Sequence, residues 1–263
     1  MKTKDGNLVN LSCVDAGNEN KITIYFPYYN QPEALKFNLD YYSSLDEELK
    51  NKFNILVVDD GSQREQAFHV VKTYEDVLNL SLYKIHVDIP WNMGAANNIA
   101  FKDAETEWIV RTDIDWFCKE QKLRKVLNMQ FEDGTVYFFR GLRVKDKPPF
   151  DVTEGCNHLQ NVYILNKKKY WETGGYNEYL CGNYGDDFEF RPRLFKKAKH
   201  KLLDIPMYTP NVSPPKNYRE DPHSFRGKFS TEGLSRDYRT NWDKAHDPNR
   251  PFLTFQNSYT KLI

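Results

Sequence analysis

Short apolar runs alternate with stretches of helical periodicity along the first half of the chain, and this alternation restricts the fold more than any other feature. Four runs rich in β-branched and aromatic residues predict strands: "KITIYF" (21–26), "FNILVV" (53–58), "LSLYKIHV" (80–87) and "EWIVRT" (107–112). A β-α-β-α order predicts an α/β protein with a mostly parallel central sheet flanked by helices. In such sheets, ligands bind at the carboxyl ends of the strands.

The stretches between these strands predict helices. Pro32 suits a first helical position, and "SQRE" (62–65) matches a capping box with Ser62 as the N-cap. Small residues from Gly94 to Ala100 predict a helix packed closely on the sheet. The apolar positions with helical spacing are Leu35, Leu39 and Tyr42; Ala67, Val70, Val71 and Tyr74; and Leu123, Val126 and Leu127.

The second half of the chain changes character. "GTVYFFRGLRV" (134–144) and "QNVYILN" (160–166) predict further strands, whereas the chain after about residue 205 is rich in Pro, Asn and charged residues. We therefore predict an N-terminal tail over 1–20, one α/β domain over 21–205, and a loop-rich extension over 206–263. The extension is expected to pack on or close over the ligand site.

The composition narrows the classes of partner and the compartment. Lys plus Arg equals Asp plus Glu at 37 each in 263 residues. The chain therefore has no positive net charge of the kind that would indicate a nucleic-acid partner. The basic runs 166–170 and 195–201 are expected at solvated ends of elements. No stretch reaches the roughly 18 apolar residues of a membrane span. The four cysteines form no CxxC pair, which argues against a zinc site. The predicted location is the cytoplasm, with a peripheral membrane location left open.

Polar residues follow the first two predicted strands. The first strand leads into "PYYNQP" (27–32), and the second leads into "VVDDGS" (57–62). A carboxylate at such a strand end can accept a hydrogen bond from a nucleobase N–H while an adjacent aromatic ring stacks on the base. The competing interpretation is structural, because Asp-Gly-Ser is also a favourable turn sequence.

The third strand leads into "DIPWNMGAANN" (88–98), a glycine-containing loop that enters a helix. Asn92 and Gly94 lie where the backbone can approach a diphosphate at a helix N-terminus. The loop matches neither of the two common glycine-rich phosphate-binding patterns. Close packing of small residues on the sheet explains the same residues equally well.

The fourth strand leads into Asp113 and Asp115. In an extended chain, residues i and i+2 face the same way, so both carboxylates can converge on one point. A divalent cation would remove their repulsion and would accept oxygen ligands from a diphosphate. The alternative is that Asp113 caps the following turn and Asp115 is solvated.

A further acidic pair, Asp186 and Asp187, follows the turn at Gly174-Gly175 and opens an apolar stretch. A carboxylate at a helix N-terminus is commonly stabilised by the helix dipole. The functional interpretation is a base that accepts a proton from an attacking hydroxyl group.

Taken in this order, the motifs resemble those of GT-A glycosyltransferases of the inverting family 2 type. The residues that carry the resemblance are "FPYYN", "VVDDGS", "NMGAANNIA", "RTDID" and "GGYNEYLCGNYGDDFEFRPRL", which span roughly residues 21 to 200. The last block also resembles the acceptor-side block of galactosyl- and N-acetylgalactosaminyltransferases. The resemblance implies the GT-A fold for the domain 21–205 and a nucleotide-sugar donor.

On the donor side, the resemblance implies a nucleotide pocket lined by Pro27 and Tyr29, with Tyr29 against the base. Asp60 would bind the uracil N–H, with Asp59 beside it. Asn92 and Gly94 would lie near the diphosphate of a UDP-sugar.

The resemblance also implies a metal site and a base. Asp115 would ligate Mn²⁺ or Mg²⁺, and Asp113 would contact the ribose or the metal. Asp187 matches the catalytic base, and Asp186 replaces the usual Glu as the acceptor-binding neighbour. The implied reaction moves a hexose or N-acetylhexosamine from a UDP-sugar to a hydroxyl of a glycan or glycoconjugate, with inversion.

Three departures from the family pattern concern the site. Asn97 stands where Arg is common, and Pro192 lies in the helix after the base, so that helix is expected to kink or start late. The third concerns the histidine near the C-terminal end that members of the family often use as an additional metal ligand. His223 is the candidate for this ligand, with Arg226 near enough to touch phosphates. His246 is the rival of His223, and a surface histidine without a ligand role is the alternative for both.

Two other functions are compatible with this architecture. One is a catalytically silent GT-A domain that binds nucleotide or glycan as an assembly module, although the complete DxD and Asp187 argue against it. The other is a sugar-1-phosphate nucleotidyltransferase, which should carry a glycine-rich loop with Arg and Lys after the first strand. "FPYYNQPEA" has no such loop. The sequence does not specify the sugar, the acceptor or the oligomeric state.

Overall fold

The fold was analysed in a computed structural model of the chain, which describes residues 21–88, 92–142, 157–178, 186–208 and 258–263. The predicted tail 1–20 and most of the extension 206–263 lie outside the described residues. Among the described residues, no helix has the length and apolar character needed to cross a membrane.

The described strands form one eight-stranded mixed sheet in the order β7-β5-β6-β4-β1-β2-β3-β8. Parallel pairs outnumber antiparallel pairs four to three, which confirms the predicted α/β class with a mostly parallel sheet. The strands are β1 (Ile22–Tyr28), β2 (Phe53–Asp59), β3 (Leu80–Ile85), β4 (Trp108–Arg111), β5 (Thr135–Leu142), β6 (Asn157–Asn166), β7 (Lys199–Tyr208) and β8 (Tyr259–Lys261).

Helices cover both faces of the sheet, as predicted. They are α1 (Pro32–Ser43), α2 (Glu47–Lys50), α3 (Ala67–Val71), α4 (Met93–Asp103), α5 (Glu120–Leu127), α6 (Lys167–Glu172) and α7 (Asp186–Lys197). Pro192 lies inside α7, so this helix does not begin after the proline.

Strand β1 lies at the centre of the sheet and is buried along its whole length. Ile24 and Phe26 pack with the apolar residues of α1, α3 and α5 on one face. Tyr25 packs with those of α4, α6 and α7 on the other face. Burial of each such side chain stabilises the fold by about 1.5–3 kcal/mol, so the central strands hold their carboxyl ends in fixed positions.

Strands β7 and β8 were not predicted from the sequence. In β7 the side chains of Leu203, Ile205 and Met207 are buried in alternation with more exposed neighbours, whereas the first residues of the strand are lysines and a histidine. Because β7 is an edge strand, it accommodates both this polar start and Pro206. β8 is short and pairs antiparallel with β3 at the opposite edge of the sheet.

The predicted capping box is wrong. Helix α3 begins at Ala67 rather than after Ser62, and its N-cap residue Gln66 makes no side-chain cap hydrogen bond. Ser62 instead accepts a hydrogen bond from the backbone N–H of Asn30 through Oγ, at 3.0 Å. Ser62 therefore ties the end of β2 to the end of β1.

Candidate active site

The carboxyl ends of β1, β2 and β4 lie side by side. Tyr28 pairs with Asp59, and the backbone N–H of Asp60 donates to the carbonyl of Tyr28 at 2.9 Å. On the other side of β1, Thr112 donates its backbone N–H to the carbonyl of Tyr25 at 3.1 Å. The residues that follow these strands, which include Tyr29, Asp60 and Asp113, therefore share one edge of the sheet, where α/β proteins bind ligands.

Asp59 organises the turn after β2. Its two carboxylate oxygens accept hydrogen bonds from the backbone N–H groups of Ser62 and Ala67, at 2.8 and 2.9 Å. Burial raises the pKa of Asp59, and these two hydrogen bonds act against that rise. The turn also needs Gly61, which has φ +74° and whose added Cβ would lie 2.5 Å from the carbonyl oxygen of Val87.

The predicted nucleotide-binding residues differ in exposure. Tyr29 is partly exposed, and its hydroxyl donates to Asp88 at 3.2 Å, after the end of β3. Pro27 lies inside β1, paired with Val58 and buried, and Asp60 is buried at the end of β2. Tyr29 and Asp88 are thus partly accessible residues of this edge, whereas Asp60 is buried.

The loop before α4 is described only from Asn92 onward. Asn92 is buried, and its carbonyl accepts the backbone N–H of Ala96 at 3.1 Å. Gly94 is also buried, and the small residues of α4 pack on the sheet. Close packing, one of the two interpretations of this segment, therefore describes α4, and the diphosphate contact of Asn92 and Gly94 stays a prediction.

Asp113 and Asp115 lie in a turn and not in an extended strand. The backbone N–H of Trp116 donates to the carbonyl of Asp113 at 3.1 Å, and Asn38 Nδ2 donates to the carbonyl of Ile114 at 2.8 Å. The expectation that extended geometry directs both carboxylates the same way is therefore wrong. Asp115 is exposed, whereas the Asp113 side chain is 33 % exposed.

Arg111, the last residue of β4, explains how the acidic pair is tolerated. Its guanidinium is buried, donates to the Asp113 carboxylate and to the carbonyl of Asn161, and lies 3.4 Å from Asn97 Oδ1. Burial lowers the pKa of Arg111, but the charge of Asp113 and nearby tyrosines raise it above its ordinary value overall. The role of Arg111 was not predicted from the sequence. Its one signal was a charged residue within the strand "EWIVRT".

The glycine turn before the second acidic pair is attached to α4 by Asn98. Asn98 Nδ2 donates to the carbonyl of Tyr176 and to Glu178 Oε1, each at 2.9 Å. Asn98 Oδ1 accepts from the Tyr170 hydroxyl at 2.6 Å and from the backbone N–H of Tyr176 at 2.9 Å. Asn98 is fully buried, so these bonds fix the position of the turn.

Helix α7 is attached to the same turn by Arg193. Its guanidinium forms a two-pronged ion pair with the buried Glu189 and donates to the carbonyls of Thr173 and Gly175, the latter at 2.8 Å. A planar fork of donors suits such a contact better than a lysine would. The two anchors, Asn98 and Arg193, therefore tie α4 and α7 to the same turn.

Asp186 and Asp187 occupy the first turn of α7. Asp186 Oδ1 accepts the backbone N–H of Asp187 at 3.0 Å, and Asp187 pairs with Arg191 at 3.1 Å. Asp186 Oδ2 is buried and has no hydrogen-bond partner within the described part of the chain. Burial, and then the charge of Asp187, raise the pKa of Asp186 to about 7, although Arg111 acts in the opposite direction. A carboxyl group with this pKa can exchange protons near neutral pH.

The geometry agrees with a family match. Residues 23–183, more than half of the chain, match the model of glycosyl transferase family 2. The chain belongs to glycosyl transferase family 2. The resemblance noted in the sequence is thereby confirmed for the family, although nothing tests the additional likeness to galactosyltransferases.

This family 2 chain is also similar to particular proteins. It is 22% identical over 191 residues to the poly(ribitol-phosphate) beta-N-acetylglucosaminyltransferase TarS of Staphylococcus aureus, a match that covers 72% of this chain. The match covers 32% of TarS, so the chain spans about a third of the length of the curated relatives it matches.

Solved structures of low sequence identity share the fold. The crystal structure of S. aureus TarS residues 1–349 with UDP-GlcNAc has a TM-score of 0.55 at 17% identity, covering 79% of this chain and 64% of that one. The mannosyltransferase PcManGT from Pyrobaculum calidifontis, in complex with GDP-Man and Mn²⁺, has a TM-score of 0.54 at 15% identity, covering 85% of this chain and 64% of that one. These matches confirm the GT-A fold.

The donor set of the family 2 chain suits a hard cation only in part. The exposed Asp115 and the partly exposed Asp113 provide oxygen ligands of the kind that Mg²⁺ and Mn²⁺ prefer. Within the described ranges, no three His, Cys, Asp or Glu side chains come together to hold a metal. The other predicted ligand, His223, its rival His246 and the predicted phosphate contact Arg226 lie outside the described residues.

Proposed function

We propose that the chain is a metal-dependent inverting glycosyltransferase that moves a hexose or N-acetylhexosamine from a UDP-sugar to a hydroxyl of a glycan or glycoconjugate. The observation that carries this proposal is the shared edge of the sheet. Tyr29, Asp60 and Asp113 follow three adjacent strands there, and the charge of Arg111 acts on both Asp113 and Asp186.

The donor assignment follows from the residues at this edge and from the relatives. Tyr29 stacks on the base, and Asp60 accepts the uracil N–H, with Pro27 and Asp59 supporting the pocket. Asn92 and Gly94 lie at the start of α4 for the diphosphate. The TarS structure with UDP-GlcNAc supports a UDP-sugar, and UDP-GlcNAc is therefore the first donor to test.

The transfer step uses the acidic pair of α7. Asp187 accepts the proton of the acceptor hydroxyl, while the hydroxyl oxygen forms a bond to the anomeric carbon. The bond from that carbon to the diphosphate oxygen breaks on the opposite side, UDP leaves with the bonding electrons, and the configuration inverts. Asp186 binds the acceptor beside Asp187, and Arg193 ties the helix that carries both residues to the glycine turn, which Asn98 of α4 also binds.

Asp115, Asp113 and His223 are the residues that would hold a divalent cation. When bound, Mn²⁺ or Mg²⁺ neutralises charge that develops on the leaving diphosphate. The PcManGT structure with Mn²⁺ supports this assignment for the fold. Arg226 would contribute a further positive charge to the phosphates.

The first experiment measures hydrolysis and transfer for a panel of UDP-sugars in Mn²⁺, Mg²⁺ or EDTA. We expect one preferred donor and turnover that requires the metal. Absence of both a donor preference and a metal dependence would contradict the proposal. UDP binding without transfer to any acceptor of a broad glycan panel would instead indicate a silent binding domain.

Asp115→Asn tests the metal assignment within the same assay. Loss of one ligand charge should lower metal-dependent turnover on the order of 100-fold and leave the fold intact, because Asp115 is exposed. Asp76→Asn is the matched control, since Asp76 is exposed in the turn before β3, at the amino end of that strand. Equal turnover in the two variants would show that Asp115 holds no metal.

A further inference from the structure

Arg111 is a buried cation in a row of aromatic side chains. In the register of the sheet, Arg111 lies opposite Tyr25 of β1 on one side and opposite Tyr163 of β6 on the other. The three side chains therefore project from the same face of the sheet. Tyr25 and Tyr163 belong to the apolar cluster under α4, α6 and α7. Placing a charge there is costly unless the charge is compensated, and the residues that compensate Arg111 therefore define its role.

On the donor side, Arg111 holds Asp113. The guanidinium donates to the Asp113 carboxylate and to the carbonyl of Asn161, so it is attached to the turn after β4 and to β6. Arg111 Nε also donates a longer hydrogen bond, of 3.4 Å, to Oδ1 of Asn97 in α4. Asn97 is the position at which the family pattern usually has Arg, so this chain carries a guanidinium on β4 next to the helix position that lacks one.

On the acceptor side, the charge of the same guanidinium acts on Asp186 in the first turn of α7. Among the described residues, the groups that interact electrostatically with Asp186 include Asp187 on its own helix, Arg111 on β4, Tyr163 on β6 and Tyr176 in the glycine turn. Arg111 is the cation among them, and it lowers the pKa of Asp186 against the effects of burial and of Asp187. Asp186 Oδ2 is buried without a hydrogen-bond partner in the described ranges, so no hydrogen bond there offsets the burial of this oxygen, whereas the charge of Arg111 does act against it.

We propose that Arg111 is a positioning residue of the transfer reaction: one buried guanidinium holds Asp113 for the donor and balances the charge of Asp186 for the acceptor. This inference rests on the proposed function and adds a coupling between its two halves. Arg111 touches neither substrate, and it acts through the two aspartates.

The test compares Arg111→Met and Arg111→Lys with the wild type, using the preferred UDP-sugar and a pH series from about 5 to 9. Arg140→Met is the matched control, because Arg140 also lies in a strand and pairs with an aspartate, Asp204, at 3.2 Å. Donor KM and kcat are measured separately at each pH. Circular dichroism and thermal unfolding establish that each variant folds.

Arg111→Met should raise donor KM about tenfold, since a charge-assisted hydrogen bond to Asp113 is lost. It should also move the acid limb of the kcat profile about one unit to higher pH, because ionised Asp186 holds the acceptor beside the base Asp187 and the cation that favours this ionised form is gone. Arg111→Lys should return the limb toward its wild-type position, since the charge is restored. Its donor KM should remain raised, because an ammonium group cannot reproduce the fork of donors.

A folded Arg111→Lys protein with wild-type donor KM, together with an Arg111→Met profile that keeps its acid limb, would overturn the proposal. If the methionine variant does not fold, the donor KM of the lysine variant decides alone. Wild-type protein without any UDP-sugar turnover would contradict the proposed function instead. Calorimetric titration with UDP would then decide the role of Arg111, and equal affinity in the wild type and Arg111→Lys would overturn it.

Discussion

At the scale of single residues, two aspartates of the site, Asp59 and Asp186, differ in what surrounds their carboxylates. Burial raises the pKa of both Asp59 and Asp186. Asp59 accepts two backbone N–H groups, whereas Asp186 accepts one through Oδ1 and none through Oδ2 within the described residues. The ionised form of Asp59 is therefore built into a turn, whereas the carboxyl group of Asp186, beside the proposed base Asp187, can take up or release a proton near neutral pH.

Asp186→Asn should change how stability depends on pH. With its pKa raised to about 7, Asp186 holds a proton in the folded state that the unfolded chain has already lost between about pH 4 and 7. The free energy of unfolding therefore falls as pH rises through this window. Asparagine removes this effect, so the variant should be more stable than the wild type by about 1 kcal/mol or more at pH 8 and nearly equal to it at pH 4.

Thermal unfolding from pH 4 to 8 measures this difference. Asp59→Asn is the contrasting control: asparagine cannot accept both N–H groups, so this variant should be less stable than the wild type at pH 8. A parallel pH dependence of Tm in the wild type and Asp186→Asn would show that Asp186 is ionised throughout.

The residues at strand ends could be predicted because periodicity locates the strands, and parallel strands bring their carboxyl ends to one edge. Tyr29, Asp60 and Asp113 follow from this rule. Arg111 does not, because its role depends on the register that pairs it with Tyr25 and Tyr163 and on side chains from α4 and α7. Such long-range neighbours leave no pattern in a single sequence.

At the scale of elements, the glycine turn 173–176 connects α4, α6 and α7. It follows α6, receives Asn98 from α4 and receives Arg193 from α7. Gly174 and Gly175 both have positive φ, at 95° and 67°. The turn therefore sets the position of the acidic pair relative to the sheet.

Gly175→Ala should disturb this arrangement more than the backbone strain alone predicts. The added Cβ would lie 2.7 Å from Trp171 Cζ3 and 2.9 Å from Asn98 Oδ1. We expect a loss of stability of about 2–4 kcal/mol, because strain at positive φ adds to overpacking. Turnover should also fall, since Asn98 and α7 must shift together.

Gly134→Ala is the matched control for this variant, measured by denaturant unfolding. Gly134 has a similar φ of +72°, but its added Cβ would meet only the Lys169 side chain, at 3.6 Å. Gly134→Ala should therefore lower the free energy of unfolding by about 1 kcal/mol, the part due to backbone strain. Equal losses at Gly134 and Gly175 would mean that the turn adapts to the methyl group without moving Asn98.

Elements were predictable where apolar periodicity is strong, as in β1 to β6 and in the apolar faces of α1 and α5. β7 was missed because its first residues are Lys199, His200 and Lys201, and Pro206 follows. An edge strand satisfies its polar residues with solvent, so the periodic signal is weak there. The capping box at Ser62 failed because Asp59 binds the N–H of Ala67 instead.

At the scale of the whole molecule, the sheet is extended at both edges by segments of the predicted extension 206–263. The last three residues of β7 pair with β5 at one edge, and β8 pairs with β3 at the other. Strand β7 ends at the carboxyl edge, and β8 begins beside Ile85 at the same edge. The C-terminal part of the chain therefore contributes to the sheet itself, which the sequence did not indicate.

Removal of residues 258–263 tests what β8 contributes to the whole domain. β8 covers the backbone of β3, as in the bond from Leu262 N–H to the carbonyl of Leu82 at 2.8 Å, and the Tyr259 hydroxyl donates to Asp103 at 2.9 Å. Its loss leaves β3 as an uncovered parallel edge, which favours pairing with other chains. We expect Tm to fall by several degrees, about 1–2 kcal/mol for a protein of this size, and self-association to rise.

Calorimetry and light scattering after gel filtration measure both effects, and Tyr259→Phe serves as the control that keeps the strand but removes its hydroxyl. In Tyr259→Phe, Tm should fall by less than half as much as in the truncated protein. The Tyr259 hydroxyl lies near the surface, where a hydrogen bond contributes little to stability. If truncation and Tyr259→Phe lowered Tm equally, the side chain and not the strand pairing would account for the docking of β8. Because the proposed site residues lie at the carboxyl ends of β1, β2 and β4 and at the starts of α4 and α7, donor KM at low temperature should remain within about twofold in both proteins.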